Sequence, residues 1–183
     1  MNEITLYKSP LKALRLIALS SLFVIPSVYF LATEQTFRKP HTETILWIST
    51  CFFSLGYVVG FINLFDRRPQ ITIKREGIWD RRLKFDRILW VDILDAYLYH
   101  IRTPLLKTKS QSFISIVLTP EVSDKIKSPK WVENFNYEAG AQKANINVSD
   151  ISVNKDKLLN AIIQLTKEQP KNRAAIISKL NLK

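Results

Sequence analysis

Ile45 to Phe65 reads ILWISTCFFSLGYVVGFINLF and contains no charged side chain. Wound as a helix with a rise of 1.5 Å per residue, it measures about 31 Å, which matches the hydrocarbon core of a bilayer. The stretch therefore marks the chain as a membrane protein. A second apolar run precedes it, Leu16 to Ala32, LIALSSLFVIPSVYFLA. The loop between them, TEQTFRKPHTET, is short and polar, so the simplest arrangement is a helical hairpin with spans over about 12–32 and 45–65. Residues 1–65 form the N-terminal segment and hairpin in this reading, and residues 66–183 form one water-soluble domain of a size suited to a single core.

The mean hydropathy of the whole chain is close to zero only because it averages two unlike parts. From Asp66 onward the chain holds 22 of the 27 Lys and Arg and 13 of the 16 Asp and Glu, a net +9 out of the total +11. A basic domain beside a bilayer points first to the anionic inner leaflet, ahead of nucleic acid. The flanks of the spans agree. Lys8, Lys12 and Arg15 precede the first, and Arg67, Arg68, Lys74 and Arg75 follow the second. In the connecting loop Arg38 and Lys39 balance Glu34 and Glu43. The positive-inside rule then places both termini in the cytoplasm and the chain in the cell (inner) membrane. A cleaved signal peptide is the competing reading of the first run, but cleavage after Ala32 would put Phe30 where a small residue is required.

Inside the spans, Gly56 and Gly60 lie four apart on one helix face, a spacing that allows close backbone approach. The partner of that face is the first span, with Ala18, Ser20, Ser21 and Ser27, or a second copy in a homodimer, unless the spacing is coincidence. Pro26 is expected to kink the first span. Trp47 and Tyr29 sit where amphipathic rings favour the membrane interface. Cys51 is the single cysteine, so the chain has neither an intrachain disulfide nor a cysteine cluster for metal.

The remainder reads as strands first and a helix last, an α+β fold. QITIK at Gln70–Lys74 alternates, Arg75 to Gly77 turns the chain, and Ile78 to Phe85 returns it as a hairpin. Trp90 to Ile93 reads as a tight corner, Ala96 to Arg102 as a strand, and Phe113 to Leu118, FISIVL, as the clearest strand. Short helices are expected over Glu121–Lys127 and Lys130–Ala144, with a strand or two from Ala144 to Val153. Asn154 is a candidate N-cap for a helix whose apolar stripe is Leu158, Leu159, Ile162, Ile163 and Leu165. Pro170 ends it, leaving a short extra helix or a basic tail. The result is a small antiparallel sheet or partly open barrel with a C-terminal amphipathic helix.

The opening EITLYKSPLKAL, the two close spans, ITIKREGI and ILWVDI together resemble an uncharacterised bacterial family of two-span membrane proteins with a cytoplasmic pleckstrin-homology-like domain. The resemblance covers most of the chain, with Ser123–Asn145 as an insertion in its pattern. It implies the pleckstrin-homology-like architecture and no catalytic motif or fixed ligand.

Glycine occurs only at 56, 60, 77 and 140, so the soluble domain cannot form a Walker loop or a dinucleotide-binding turn. Neither His-Glu-x-x-His nor Gly-x-Ser-x-Gly is present, and the histidines are only His41 and His100. His100 with Asp95 could form an acid–base pair, though a lone strand histidine is ordinarily structural. No catalytic residue, cofactor or metal ligand is expected. The candidate site is instead the basic cluster after the second span, with Arg67, Arg68, Arg81, Arg82 and Lys84 as the residues to bind phospholipid head groups or a partner. Asp66, Glu76, Asp80 and Asp86 are interleaved with it, and topology alone is the plainer account of its charge. The functional expectation is a non-catalytic membrane-anchored binding module for a protein partner or an anionic phospholipid at the cytoplasmic surface. The alternative is a membrane-embedded immunity protein that blocks a toxin through the hairpin and Thr33–Thr44.

Overall fold

A computed structural model describes residues 3–33, 41–83, 85–102, 109–126, 129–130, 133–134, 136 and 140–182. The chain divides into two compact units, Lys8–Arg67 and Met1–Tyr7 with Arg68–Lys183.

The first unit is a pair of long helices, α1 (Pro10–Ala32) and α2 (Thr42–Phe65). Each is long and apolar enough to cross a membrane. Their large side chains point outward: Leu22 is 68% exposed, Phe52 66% and Ile48 65%. Small residues take the inside. Ala13, Ser20 and Ser27 are the buried residues of α1, seven apart, as a face turned toward one partner helix requires. A Cβ built on Gly56 would lie 2.0 Å from Ser20 Oγ, and one on Gly60 would lie 2.5 Å from Ile17 Cγ1. The Gly56/Gly60 face is therefore used within the hairpin, the first of the two partners considered from sequence. Tyr57 donates to Ser21 Oγ at 2.8 Å, and the Phe23 and Phe53 rings stack at 4.1 Å. At the open end, Lys8 Nζ donates to Asn63 Oδ1 at 2.9 Å and pairs with Asp66 at 3.1 Å. Pro26 lies inside α1, which continues through it.

The second unit holds two antiparallel sheets. One has the order β1 (Ile4–Leu6), β2 (Ile71–Ile73), β3 (Gly77–Asp80), β4 (Ile88–Leu89), and the other β5 (Ile93–Arg102), β6 (Lys109–Leu118), β7 (Ala144–Asn147). A single 3-10 turn, Trp90–Asp92, joins them. This is the tight corner expected at Trp90. β1 is the main departure from the sequence reading, which placed residues 1–65 together. Ile4, Thr5 and Leu6 pair with Ile73, Thr72 and Ile71, burying Leu6 and giving β2 partners on both sides. β3 is also shorter than read, ending at Asp80 because the Asp80 carboxylate takes the Arg82 N–H and turns the chain.

One core joins both sheets: Ile71, Ile73, Ile78, Trp90, Ile114, Ile116 and Ile146 are all essentially solvent-free. Gly77 allows the β3–β4 crossing, since a Cβ there would sit 2.1 Å from the Ile88 carbonyl oxygen. A short helix α3 (Pro120–Ser123) follows β6. Helix α4 (Lys155–Lys167) then covers β5 with Leu158, Ala161, Ile162 and Leu165. Asn154 caps it as expected, its side chain accepting from Lys157 N at 3.1 Å. Helix α5 (Pro170–Lys179) realises the extra helix. Arg173 is 5% exposed and donates through Nε to the carbonyls of Leu165 and Glu168, which α4 leaves open at its end. The helix expected over Glu121–Lys127 is confined to α3; of the stretch expected as a helix over Lys130–Ala144, Lys130, Glu133, Asn134 and Asn136 are helical, residues 131–132, 135 and 137–139 lie outside the described residues, and the chain from Gly140 is non-helical and enters β7 at Ala144.

Candidate functional site

The register of the first sheet sorts the basic cluster. Leu6, Ile71 and Asp80 lie in one row across β1, β2 and β3. The chain passes from Leu6 into α1 and arrives at Ile71 from α2, so this row is the tethered end of the sheet. The turn after Asp80 leaves from the same end, and Arg81 and Arg82 lie in it.

Gln70 organises this end. It is 2% exposed, and its N–H donates to the Leu6 carbonyl at 2.9 Å. Its carbonyl accepts from Arg81 N at 2.9 Å, and its amide Nε2 donates to the Arg68 carbonyl at 3.0 Å. Buried polar groups must be satisfied, and Gln70 meets that demand by fixing the backbones of Arg68 and Arg81 beside each other. Arg68 is exposed and Arg81 half-buried.

Arg82 has a different task. Its Nε lies 3.2 Å from Asp80 Oδ1 and its Nη1 2.9 Å from Asp150 Oδ1, and Nη2 donates to the Asn147 carbonyl. Asp80 is fully buried at its side chain. A buried carboxylate needs a cation and hydrogen-bond donors close by, and Arg82 supplies both. The residue thus fastens the β3 turn to the segment after β7 and presents little free charge. Arg67 is exposed at the end of the helical unit, with its N–H on the Phe65 carbonyl. Lys84 lies outside the described residues. The structure therefore sets the backbones of Arg68 and Arg81 beside each other through Gln70, while Arg82, exposed like Arg68, is engaged by Asp80 and Asp150.

The histidine considered from sequence also finds a setting. His100 faces Ser112 across β5 and β6, with Nδ1 at 2.9 Å from Ser112 Oγ. Lys155 Nζ, at the start of α4, donates to the same oxygen at 2.7 Å. The Ser112 hydroxyl oxygen thus joins Lys155 and His100, the direction of its bond with Nδ1 set by the imidazole tautomer. Ser112 is 2% exposed and its backbone is held by Ser149 and Val148. A nucleophile requires access that this hydroxyl lacks, so the cluster ties α4 to the sheet. Asp95 is elsewhere engaged, accepting from Ala96 N. Among the described residues, no group of three His, Cys, Asp or Glu side chains converges as metal ligands would.

Sequence reasoning named the arginines but missed Gln70, Asp150, Ser112 and Lys155. Gln70 opens an alternating strand, which marks it as positioned. Asp150 lies 68 residues from Arg82 and carries no local signal.

No protein-family model, curated protein or solved structure matches the chain.

Proposed function

We propose that this protein is a non-catalytic binding module anchored in the cell membrane by its helical hairpin, with a pleckstrin-homology-like domain at the cytoplasmic surface. Four and three antiparallel strands joined at a corner and followed by an amphipathic helix support the architectural part of that reading. The convergence of Arg68 and Arg81 on Gln70, at the tethered end of the sheet, supports the functional part. Basic side chains held at that end suit anionic phospholipid head groups, each contributing about 1 kcal/mol near a charged leaflet. Arg67 and Lys84 extend the same basic stretch of sequence. Arg82 acts here as the brace of the turn.

The test uses the full chain in nanodiscs of mixed neutral and anionic lipid. Spin-labelled lipids should report enrichment of the anionic species around the protein at low salt, falling at high salt. Arg68→Gln with Arg81→Gln should bring the enrichment close to that of neutral lipid, whereas Arg82→Gln should chiefly lower the unfolding temperature. Equal enrichment in the double variant would overturn the lipid reading and direct the search to protein partners.

A further inference from the structure

The opposite end of the same sheet carries a second surface. Of the described residues in the C-terminal unit, the large apolar side chains left exposed are Tyr7, Leu89, Val91 and Leu94. Three of the four lie within six residues of chain, at 41%, 67% and 60% exposure. Their neighbours explain this. Ile88, Trp90, Ile93 and Ala96 turn into the core, and the Trp90 indole is locked by Nε1 donating to the Lys74 carbonyl at 2.9 Å. The residues between must then face out. Leu89 pairs with Gly77, at the end of β3 remote from Asp80, and Trp90 N donates to the Glu76 carbonyl at 3.2 Å. Leu89 thus lies at the untethered end, and exposed Val91 and Leu94 follow it in the 3-10 turn and at the start of β5.

Its rim is acidic on a unit that is basic overall. Asp92 and Asp95 bracket Leu94, and Asp95 is exposed. Thr119 N donates to the Asp92 carbonyl, which brings exposed Glu121 of α3 to the same side. Of the cations at this end, Lys74 pairs with Glu3 at 2.8 Å, Arg87 pairs with Glu76 at 3.5 Å, and Arg75 donates through Nε to the Pro170 carbonyl at 3.1 Å.

We infer that Leu89, Val91 and Leu94, framed by Asp92 and Asp95, form a docking surface for a protein partner that presents an aliphatic segment flanked by Lys or Arg. The inference rests on the anchored reading above for the tether and goes beyond it by giving the partner's chemistry. An acidic rim at the untethered end is repelled by an anionic leaflet. A two-fold contact with a second copy would set the same carboxylates against each other. A basic apolar segment satisfies both the aliphatic cluster and its rim.

The probe is a fluorescein-labelled amphipathic peptide of Leu and Lys, with a Leu and Glu peptide of the same pattern as its control. Anisotropy is measured on the full chain in neutral phosphatidylcholine nanodiscs, with empty nanodiscs subtracted. We expect saturable binding of the Leu/Lys peptide only, weakened about tenfold by Val91→Asn or Leu94→Asn. Asp92→Asn with Asp95→Asn should weaken it several-fold and flatten its salt dependence. These positions are exposed or half-buried, and thermal unfolding checks that each variant remains folded. Absence of binding, or binding indifferent to positions 91 and 94, overturns the proposal. In a Cys51→Ser background, spin labels at Val91→Cys and Phe52→Cys separate the remaining cases. Relaxation of the Val91 label by a lipid-soluble agent, or a defined distance between Val91 labels on two copies, also overturns it in favour of bilayer or dimer. Failure of the Phe52 label to meet lipid would sink the anchored reading itself, which the peptide result cannot do.

Discussion

The two units use the same residue types in opposite senses. In α1 and α2, Leu22, Ile48 and Phe52 face outward and Ala13, Ser20, Gly56 and Gly60 line the contact between helices. In the C-terminal unit, Ile71, Ile114 and Ile162 are solvent-free, and most charges lie at the surface. The difference follows from the surroundings each surface meets. Water drives isoleucine inward; hydrocarbon exerts no such drive, so in the hairpin backbone proximity and side-chain hydrogen bonds decide what packs. Tyr57 on Ser21 and Lys8 on Asn63 and Asp66 are bonds of that kind.

Substitutions that reverse residue size should expose this contrast. Trp90→Ala empties the centre of the C-terminal core and should cost about 3–5 kcal/mol in a denaturant titration of the full chain. Leu22→Ala, which also removes a large apolar side chain, should leave that transition unmoved, and an equal loss from both would end the comparison. Asp80→Ala leaves Arg82 with only part of its counter-charge and frees the β3 turn, for an expected loss of about 2–3 kcal/mol in the same titration. Gly60→Leu adds bulk where the hairpin has none to spare. It should cost about 1–3 kcal/mol of helix–helix packing, read as weaker excimer formation between pyrenes placed on α1 and α2.

The smallest effect concerns Glu168 at the α4–α5 corner. Hydrogen bonds from the Asn172 side chain and the Gln169 backbone, together with the Arg173 charge, hold its carboxyl below the usual range. A group with a depressed folded value stabilises the fold above its ordinary value and loses that contribution as pH falls through the folded value. Asn172→Ala should therefore shift the Glu168 titration upward by NMR and lower stability slightly at neutral pH, the difference from the parent chain vanishing once pH falls below the folded value.

How much of this was legible in the sequence depends on how far apart the partners lie. The spans, the β5–β6 pair, the corner at Trp90 and the Asn154 cap are each encoded within a few neighbouring residues, and the structure contains them all. β1 is not, because three residues beside a proline-led helix give no periodicity of their own. Its partner begins at Ile71, on the far side of both spans. The basic site was legible in part. Charge marked Arg68, Arg81 and Arg82, but only the fold shows that Arg82 spends its guanidinium on Asp80 and Asp150 while Gln70 arranges the other two.

Because β1 and β2 are neighbours in one sheet, the whole hairpin serves as the connection between two paired strands. During synthesis Ile4–Leu6 leaves the ribosome first and waits until Ile71–Ile73 appears. If both helices cross a bilayer, as proposed above, the pair can close only when both have been threaded and the chain has come back to the side from which it started. In that anchored arrangement, a single helix left uninserted would strand β1 across the bilayer from its partner and leave the edge of β2 open. On that reading the three-residue strand serves as a checksum on membrane insertion, tying completion of the sheet to the return of the chain to the side from which it started.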